Sequence, residues 1–479
     1  MPGFHVENFG CRAARADGEA VGGRLHAAGL CEQPPAEADV VIVNTCSVTA
    51  EADRAARAFI RRAHRLNPEA RIVVTGCYAQ RAPQELAALA GVAAVVGNSH
   101  KALAPEIALH LLGAENAGPE REVAALPALV SVQSLLAGGQ APIWADDRFA
   151  HSFLEEAQLA PGAQTRPNLK IQEGCGNRCT FCVIPATRGP SKSLPAAAVL
   201  RQVEGFVAAG GNELVFSGIN LGRWGRDRAN SAPSNGDSSS PRTLAALVRQ
   251  IFEQTALPRL RLSSIEPMDW TPELTALMAE FGGTRLARHA HLPLQSGSDS
   301  VLLRMHRRYR PWHYAEKAEA LLRAAGPNLT LGADVMVGFP GETDAEFEET
   351  VALIEALPFG YLHLFPFSAR PGTPAWALHI TDPVPAAAVE ERMAALRVLT
   401  AEKSKTHRRC FVGREVEAIT LHTPSELEAT GRTSALTENF LPVEIEGRMA
   451  ANRLVRLRVT GLAAEGTLQA TAPMENVAD

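Results

Sequence analysis

Apolar residues in the first hundred positions fall into short continuous runs separated by helical periodicity. Ala38-Asp-Val-Val-Ile-Val-Asn44, Arg71-Ile-Val-Val-Thr-Gly76 and Val92-Ala-Ala-Val-Val-Gly97 read as strands. Between the first two, residues 47–67 read as an amphipathic helix rich in Ala and Arg, ended by Pro68. Strands this apolar are covered on both faces, which predicts an open parallel sheet with helices on each side. Strand and helix patterns alternate again over 168–172, 213–217, 259–263, 288–292, 330–337 and 361–365. That makes about six βα units, an incomplete version of the eightfold barrel, with its chemistry expected at the strand carboxyl ends. After about Ala401 the pattern becomes short alternating strands, as in Leu454-Val-Arg-Leu-Arg-Val-Thr460, and predicts a small antiparallel β-barrel. The fold class is therefore α/β with a small all-β end.

Periodicity fades from Gly113 to about Arg166, where Gly138-Gly-Gln-Ala-Pro142 and Pro161-Gly-Ala punctuate a linker. The expected organisation is an amino-terminal domain over 1–135, a linker over 136–164, a barrel domain over 165–400 and a last domain over 401–470. The segment between Arg228 and Pro241, Ala-Asn-Ser-Ala-Pro-Ser-Asn-Gly-Asp-Ser-Ser-Ser, is too polar to pack and reads as a surface loop.

With 479 residues, 46% hydrophobic and 21% charged, the composition is that of an ordinary globular protein. No apolar run approaches the ~20 residues of a membrane helix, and Met1-Pro-Gly-Phe-His-Val-Glu7 lacks a basic start or apolar stretch. A soluble, cytoplasmic protein with no membrane partner is expected. A formal charge of −5 excludes a generally basic coat, so any RNA contact must come from local patches. Arg448, Arg453, Arg456 and Arg458, with Lys403, Lys405, Arg408 and Arg409, offer one such patch near the last domain. On charge alone it is equally a solvated face.

Eight cysteines in such a chain point to metal or redox chemistry. Cys175, Cys179 and Cys182 stand in Lys170-Ile-Gln-Glu-Gly-Cys-Gly-Asn-Arg-Cys-Thr-Phe-Cys182. The spacing Cys-x3-Cys-x2-Cys gives three thiolates to a four-iron cluster and leaves one iron open to chelate S-adenosylmethionine, whose reductive cleavage yields a carbon radical. Zinc would want a fourth Cys or His close by, and the nearest downstream histidines are far away. Cys11 follows Val6-Glu-Asn-Phe-Gly10, and Cys46 and Cys77 follow the strands ending at Asn44 and Gly76, so the carboxyl edge of a parallel sheet would gather all three into a second cluster site. Three unrelated buried thiols are the alternative. Cys31 and Cys410 read as ordinary thiols.

Together these features resemble the methylthiotransferases, a branch of the radical S-adenosylmethionine enzymes. The resemblance is carried by Gly10-Cys11, Asn44-Thr-Cys46-Ser-Val-Thr49, Thr75-Gly-Cys77-Tyr-Ala-Gln80, Arg188-Gly189, Pro293-Leu-Gln295-Ser-Gly-Ser-Asp299 and Gly338-Phe-Pro-Gly-Glu342. Lys170-Ile-Gln-Glu-Gly-Cys-Gly-Asn-Arg-Cys179, Arg261-Leu-Ser-Ser-Ile-Glu-Pro267 and Arg307-Arg-Tyr309 are most similar to the subgroup that acts on N6-threonylcarbamoyladenosine at position 37 of tRNA. Relatives modify N6-isopentenyladenosine at the same position, or an aspartate of a ribosomal protein. The resemblance implies two [4Fe-4S] clusters, held by Cys11, Cys46 and Cys77 and by Cys175, Cys179 and Cys182. It further implies two molecules of S-adenosylmethionine per turnover, a tRNA anticodon loop as partner, an external one-electron donor such as flavodoxin or ferredoxin, and a carboxyl-terminal TRAM module. Glu213, in Gly210-Gly-Asn-Glu213, matches a turn that in relatives holds the methionine end of the cofactor; Glu266 and Gln295, at expected strand ends, are further cofactor-binding candidates. Three departures stand out: Ala13-Ala14 where relatives carry an apolar residue and Asn, Ala186 where an aromatic is common, and His306 where Asn is common.

Overall fold

The computed structural model describes residues 1–113, 141–149, 154, 165–228 and 241–471. Most of the linker expected over 136–164, and all but the ends of the polar loop near 228–241, lie outside those residues.

The chain divides into two compact units. The first holds Met1–Gln158 together with Glu173–Lys192 and Ser368–Thr373. Its core is a parallel sheet in the order Cys31–Glu32, Gly3–Asn8, Val40–Thr45, Arg71–Gly76, Val92–Gly97 and Ile143–Trp144. Every residue of Val40–Thr45 is buried, as an apolar run without alternation requires. The helix Ala50–Leu66 covers one face through Ala56, Phe59, Ile60 and Ala63, spaced as one side of a helix. Thr49 caps it by accepting from the Ala52 amide at 3.2 Å, which fixes where the loop after Cys46 ends. The opposite face packs Phe4, Val21, Leu25, Ile42 and Val73.

The second unit holds Leu159–Gln172, Ser193–Phe367 and Pro374–Asp479. Six parallel strands follow one another in sequence order, as the alternating pattern predicts. Asn168–Lys170, Glu213–Ser217 and Arg259–Leu262 form one group; His289–His291, Thr330–Val337 and Phe359–Pro366 form the other. An isolated parallel bridge between Leu260 and Leu286, just before His289–His291, links the two groups. A closed barrel of Glu415–Thr420, Arg432–Thr437, Pro442–Glu446, Leu454–Leu462 and Leu468–Ala470 completes the unit. Its interior holds Val416, Ala418, Val443, Ile445, Leu457 and Val459, one face of each alternating strand.

The small barrel is anchored on the amino-terminal ends of the parallel strands. The Arg261 guanidinium donates to the Thr437 carbonyl at 3.2 Å, Arg288 pairs with Glu438 at 2.8 Å, and Arg259 pairs with Glu417. Phe440, in the left-handed region with φ +70°, puts its ring 4.5 Å from that of His289. This anchoring corrects the expectation for Glu213. The residue opens its strand, roughly 13 Å from the carboxyl end at ~3.3 Å per residue. It is fully buried between Arg261 at 2.8 Å, Arg166 at 3.0 Å and Arg259 at 3.5 Å. Burial works against the charged carboxylate, but Arg261 and Arg166 outweigh it and hold the pKa below the ordinary range. Its ion pairs brace the last domain, at the wrong end of the strand to meet a cofactor.

Replacing Glu213 with Ala strands three guanidiniums, two of them wholly buried. We expect a loss of about 3–5 kcal/mol on chemical unfolding of the full chain, with unchanged S-adenosylmethionine affinity in the protein that remains folded. A normal unfolding midpoint with weakened cofactor binding would restore the cofactor role.

Candidate metal centres

The register of the first sheet brings the amino-terminal thiols together. Asn8 lies opposite Asn44, Asn44 opposite Thr75, and Thr45 opposite Gly76, so three neighbouring strands end level with one another. Cys11, Cys46 and Cys77 follow those ends. Cys11 caps the helix Arg12–Ala27 and is exposed; Cys46 and Cys77 are buried. Glycines permit the approach. A Cβ on Gly10, whose φ is +105°, would lie 2.7 Å from the Cys46 sulfur. One on Gly76 would meet the Thr45 carbonyl oxygen at 2.3 Å.

Hydrogen bonds fix the loops. Asn44 Nδ2 donates to the Ala14 carbonyl at 2.5 Å and to Asn8 Oδ1 at 2.9 Å. The start of the Cys11 helix is thus held from a neighbouring strand, and Ala13 and Ala14 are buried against it. Beyond Cys46, Arg81 donates to Ser47 Oγ at 2.7 Å and pairs with the buried Asp53 at 2.8 Å. Arg370 pairs with Asp53 at the same distance.

Burial, aided by the nearby Cys77, pushes the Cys46 thiol up to about 12. An iron ligand must be a thiolate, so metal binding here has to expel that proton. Cys77 Sγ accepts from Arg188 Nε at 3.2 Å and from Asn98 Nδ2 at 3.4 Å. Arg188, fully buried, also pairs with Glu173 at 2.7 Å and Asp17 at 3.0 Å. Lys101 pairs with both carboxylates. Burial would lower the Arg188 pKa, but Cys77, Glu173 and Asp17 hold the guanidinium charged, well above its ordinary value. Its Nη2 is buried without a partner among the described residues.

The Cys175, Cys179 and Cys182 loop groups with this same compact unit. Gly174, with φ +67°, makes its tight turn: a Cβ there would come within 2.1 Å of the Pro190 carbonyl oxygen. The Cys175 amide then bonds the Gly189 carbonyl at 3.1 Å, and the Cys182 amide the Cys179 carbonyl at 3.2 Å. All three thiols are partly exposed. Among the described residues no three His, Cys, Asp or Glu side chains are set to hold a single metal ion. The Arg188 Nη2 left without a partner among the described residues could donate to a sulfur of a bound iron–sulfur cluster.

In the second unit Glu266 and Gln295 follow strand carboxyl ends, as expected. Glu266 pairs with Arg307 at 2.5 Å, and Arg307 donates on to Tyr309. Gln295 takes the left-handed conformation, φ +65°, and its buried Oε1 has no partner among the described residues. A polar ligand at this rim would satisfy it. Glu342 closes its own turn, accepting from the Gly338 amide at 2.8 Å and pairing with Arg392 at 2.9 Å. His306 sits at φ +57°, a region Asn and His both tolerate, which explains the exchange at that position. Sequence reasoning gave no role to Asp17, Asn98, Lys101 or Glu173; their separation along the chain hides the network they form around Arg188 and Cys77.

On the last barrel, Arg456 lies opposite Glu417 and Arg458 opposite Glu415, so acids face two arginines of the basic stripe across the strand pair. Lys403 and Arg408 bond the carbonyls of Glu355 and Gly466. Arg448 instead lines a groove of about 250 Å³ with His422, Thr423, Arg432 and Met449. No described helix is long and apolar enough to cross a membrane.

Residues 3–97 match Uncharacterized protein family UPF0004, and residues 169–354 match the Radical SAM superfamily. The chain is 33% identical to the threonylcarbamoyladenosine tRNA methylthiotransferase MtaB of Bacillus subtilis, over 93% of its length and 90% of that protein's. It is also 33% identical to the tRNA-2-methylthio-N(6)-dimethylallyladenosine synthase of Sorangium cellulosum, over 88% of its length and 82% of that protein's. Among solved structures, the radical S-adenosylmethionine methyltransferase TsrM of Kitasatospora setae shares the fold, with a TM-score of 0.52 at 16% identity over 78% of this chain and 77% of that one. The paired cysteine triplets, the parallel strands and the end-to-end likeness converge: the chain belongs to the radical SAM tRNA methylthiotransferases.

Proposed function

We propose that this chain converts N6-threonylcarbamoyladenosine at position 37 of tRNA to its 2-methylthio derivative. The observation that carries the reading is the gathering of Cys11, Cys46 and Cys77 at one sheet edge, in addition to the Cys175 triplet. A C2–H bond of adenine is neither acidic nor easily oxidised, so its replacement needs a carbon radical and a sulfur source held apart from ordinary solvent. When bound, a [4Fe-4S] cluster with S-adenosylmethionine supplies the radical and a second [4Fe-4S] cluster the sulfur.

The chain's own residues have separate tasks. Cys175, Cys179 and Cys182 would hold the cluster that binds the cofactor, and Gln295, a cofactor-binding candidate of the second unit, has a buried Oε1 without a partner among the described residues. Cys11, Cys46 and Cys77 would hold the other cluster, with Arg188 Nε donating to Cys77 Sγ. An external one-electron donor such as flavodoxin or ferredoxin supplies the electron. The target base sits in the anticodon loop, where turning a nucleotide out of its stack costs least. With tRNA as its substrate, the enzyme works in the cytoplasm. The dimethylallyladenosine relatives match nearly as well, and the subgroup assignment rests on the motifs around Cys175, Arg261 and Arg307.

Nucleoside analysis of tRNA from cells with and without this gene tests the reading. Without it, 2-methylthio-N6-threonylcarbamoyladenosine should vanish and its unthiolated precursor accumulate, while 2-methylthio-isopentenyladenosine persists. Loss of the isopentenyl derivative instead, or of methylthio-aspartate in a ribosomal protein, would contradict it. The groove residue Arg448 and the exposed Arg453 are two basic groups of the last barrel that carry no opposing acid in the strand register. The double variant R448E/R453E should weaken tRNA binding and lower the slope of log K against log salt by about 1 for each phosphate that is no longer neutralised. An unchanged slope would remove this face from the RNA interface.

A further inference from the structure

Arg188 is placed in a way that holding the loop alone does not explain. Its guanidinium is wholly buried, and two carboxylates, Asp17 and Glu173, already share its Nη1. Lys101 contacts the same two carboxylates, so the four charges balance before any metal is considered. Yet Nε is spent on neither acid: it points at Cys77 Sγ, 3.2 Å away. Nη2 is buried with no acceptor among the described residues. A buried donor without an acceptor is costly, so the arrangement is complete only with something further in place. Asn98 makes a second contact to the same sulfur while donating at 2.8 Å to the Thr187 carbonyl, next to Arg188 in the chain. Sequence and position thus fix two donors on one thiol.

Resting on the reading that Cys11, Cys46 and Cys77 hold an iron–sulfur cluster, we infer that Arg188 is a positioning residue for that cluster: Nε donates to the Cys77 thiolate, Nη2 to a sulfur of the bound cluster, and together they raise its reduction potential. Hydrogen bonds to sulfur and nearby positive charge both favour the reduced, more negative form of a cluster. Arg188 also ends the short helix Ile184–Arg188 that follows Cys182, so the donor to one thiol triplet is carried by the chain segment that bears the other.

The experiment is a potentiometric titration followed by electron paramagnetic resonance on the anaerobically reconstituted full chain. In a C175A/C179A/C182A background only the amino-terminal cluster remains. There R188M should shift its midpoint to more negative potential, and R188K, which keeps the charge but loses the planar fork, should fall between. In the reverse background, C11A/C46A/C77A, R188M should leave the midpoint of the remaining cluster unchanged. An unshifted midpoint in R188M or R188K at native iron content would overturn the inference. Iron-free R188M and R188K proteins alike would make Arg188 a scaffold residue and overturn it as well. Iron missing from the parent C175A/C179A/C182A protein would instead refute the underlying cluster reading.

Discussion

A single buried guanidinium ties the amino-terminal unit together. Arg188 reaches Cys77, Asp17 and Glu173 at once, joining the sheet edge, the helix after Cys11 and the strand leading to the second cysteine loop. Removing one partner from such a buried network leaves uncompensated charge, which is why these groups behave as a unit. The charge also has a direction: it lies beside the Cys77 sulfur, where it favours negative charge on that thiol.

The second constraint is register. Parallel strands that end level deliver whatever follows them to one place, and here cysteine follows three of them. Glycines at 10 and 76 let the loops approach closely enough for the thiols to meet. The same logic acts in the second unit, where Glu266 and Gln295 follow strand ends, while the opposite ends carry the arginines that anchor the last barrel. One end of the strands is therefore available for chemistry and the other for assembly, the usual division of labour in such folds.

Much of this was legible in the residues because it is local. Cysteine spacing, apolar runs and the final period-two pattern each depend on near neighbours along the chain. What escaped depends on distant partners. Gly210-Gly-Asn-Glu213 looks like a turn offering a free carboxylate, but Arg166, Arg259 and Arg261 converge on it from separate parts of the chain and leave nothing for a ligand. Ala14 looks like a lost loop anchor, yet Asn44 bonds its carbonyl from a neighbouring strand. The arginines of 454–460 look like a basic stripe until the antiparallel register sets Glu417 and Glu415 across from two of them. Arg188 stands inside a motif, with nothing near it in sequence to announce complete burial.

The central claim is two thiolate-held clusters, one for each cysteine triplet. Iron and acid-labile sulfide counted on the anaerobically reconstituted chain and on its C11A/C46A/C77A variant test it most directly. Two four-iron clusters require about eight irons and eight sulfides in the parent, and about four of each in the variant. Four irons in both proteins would contradict the account.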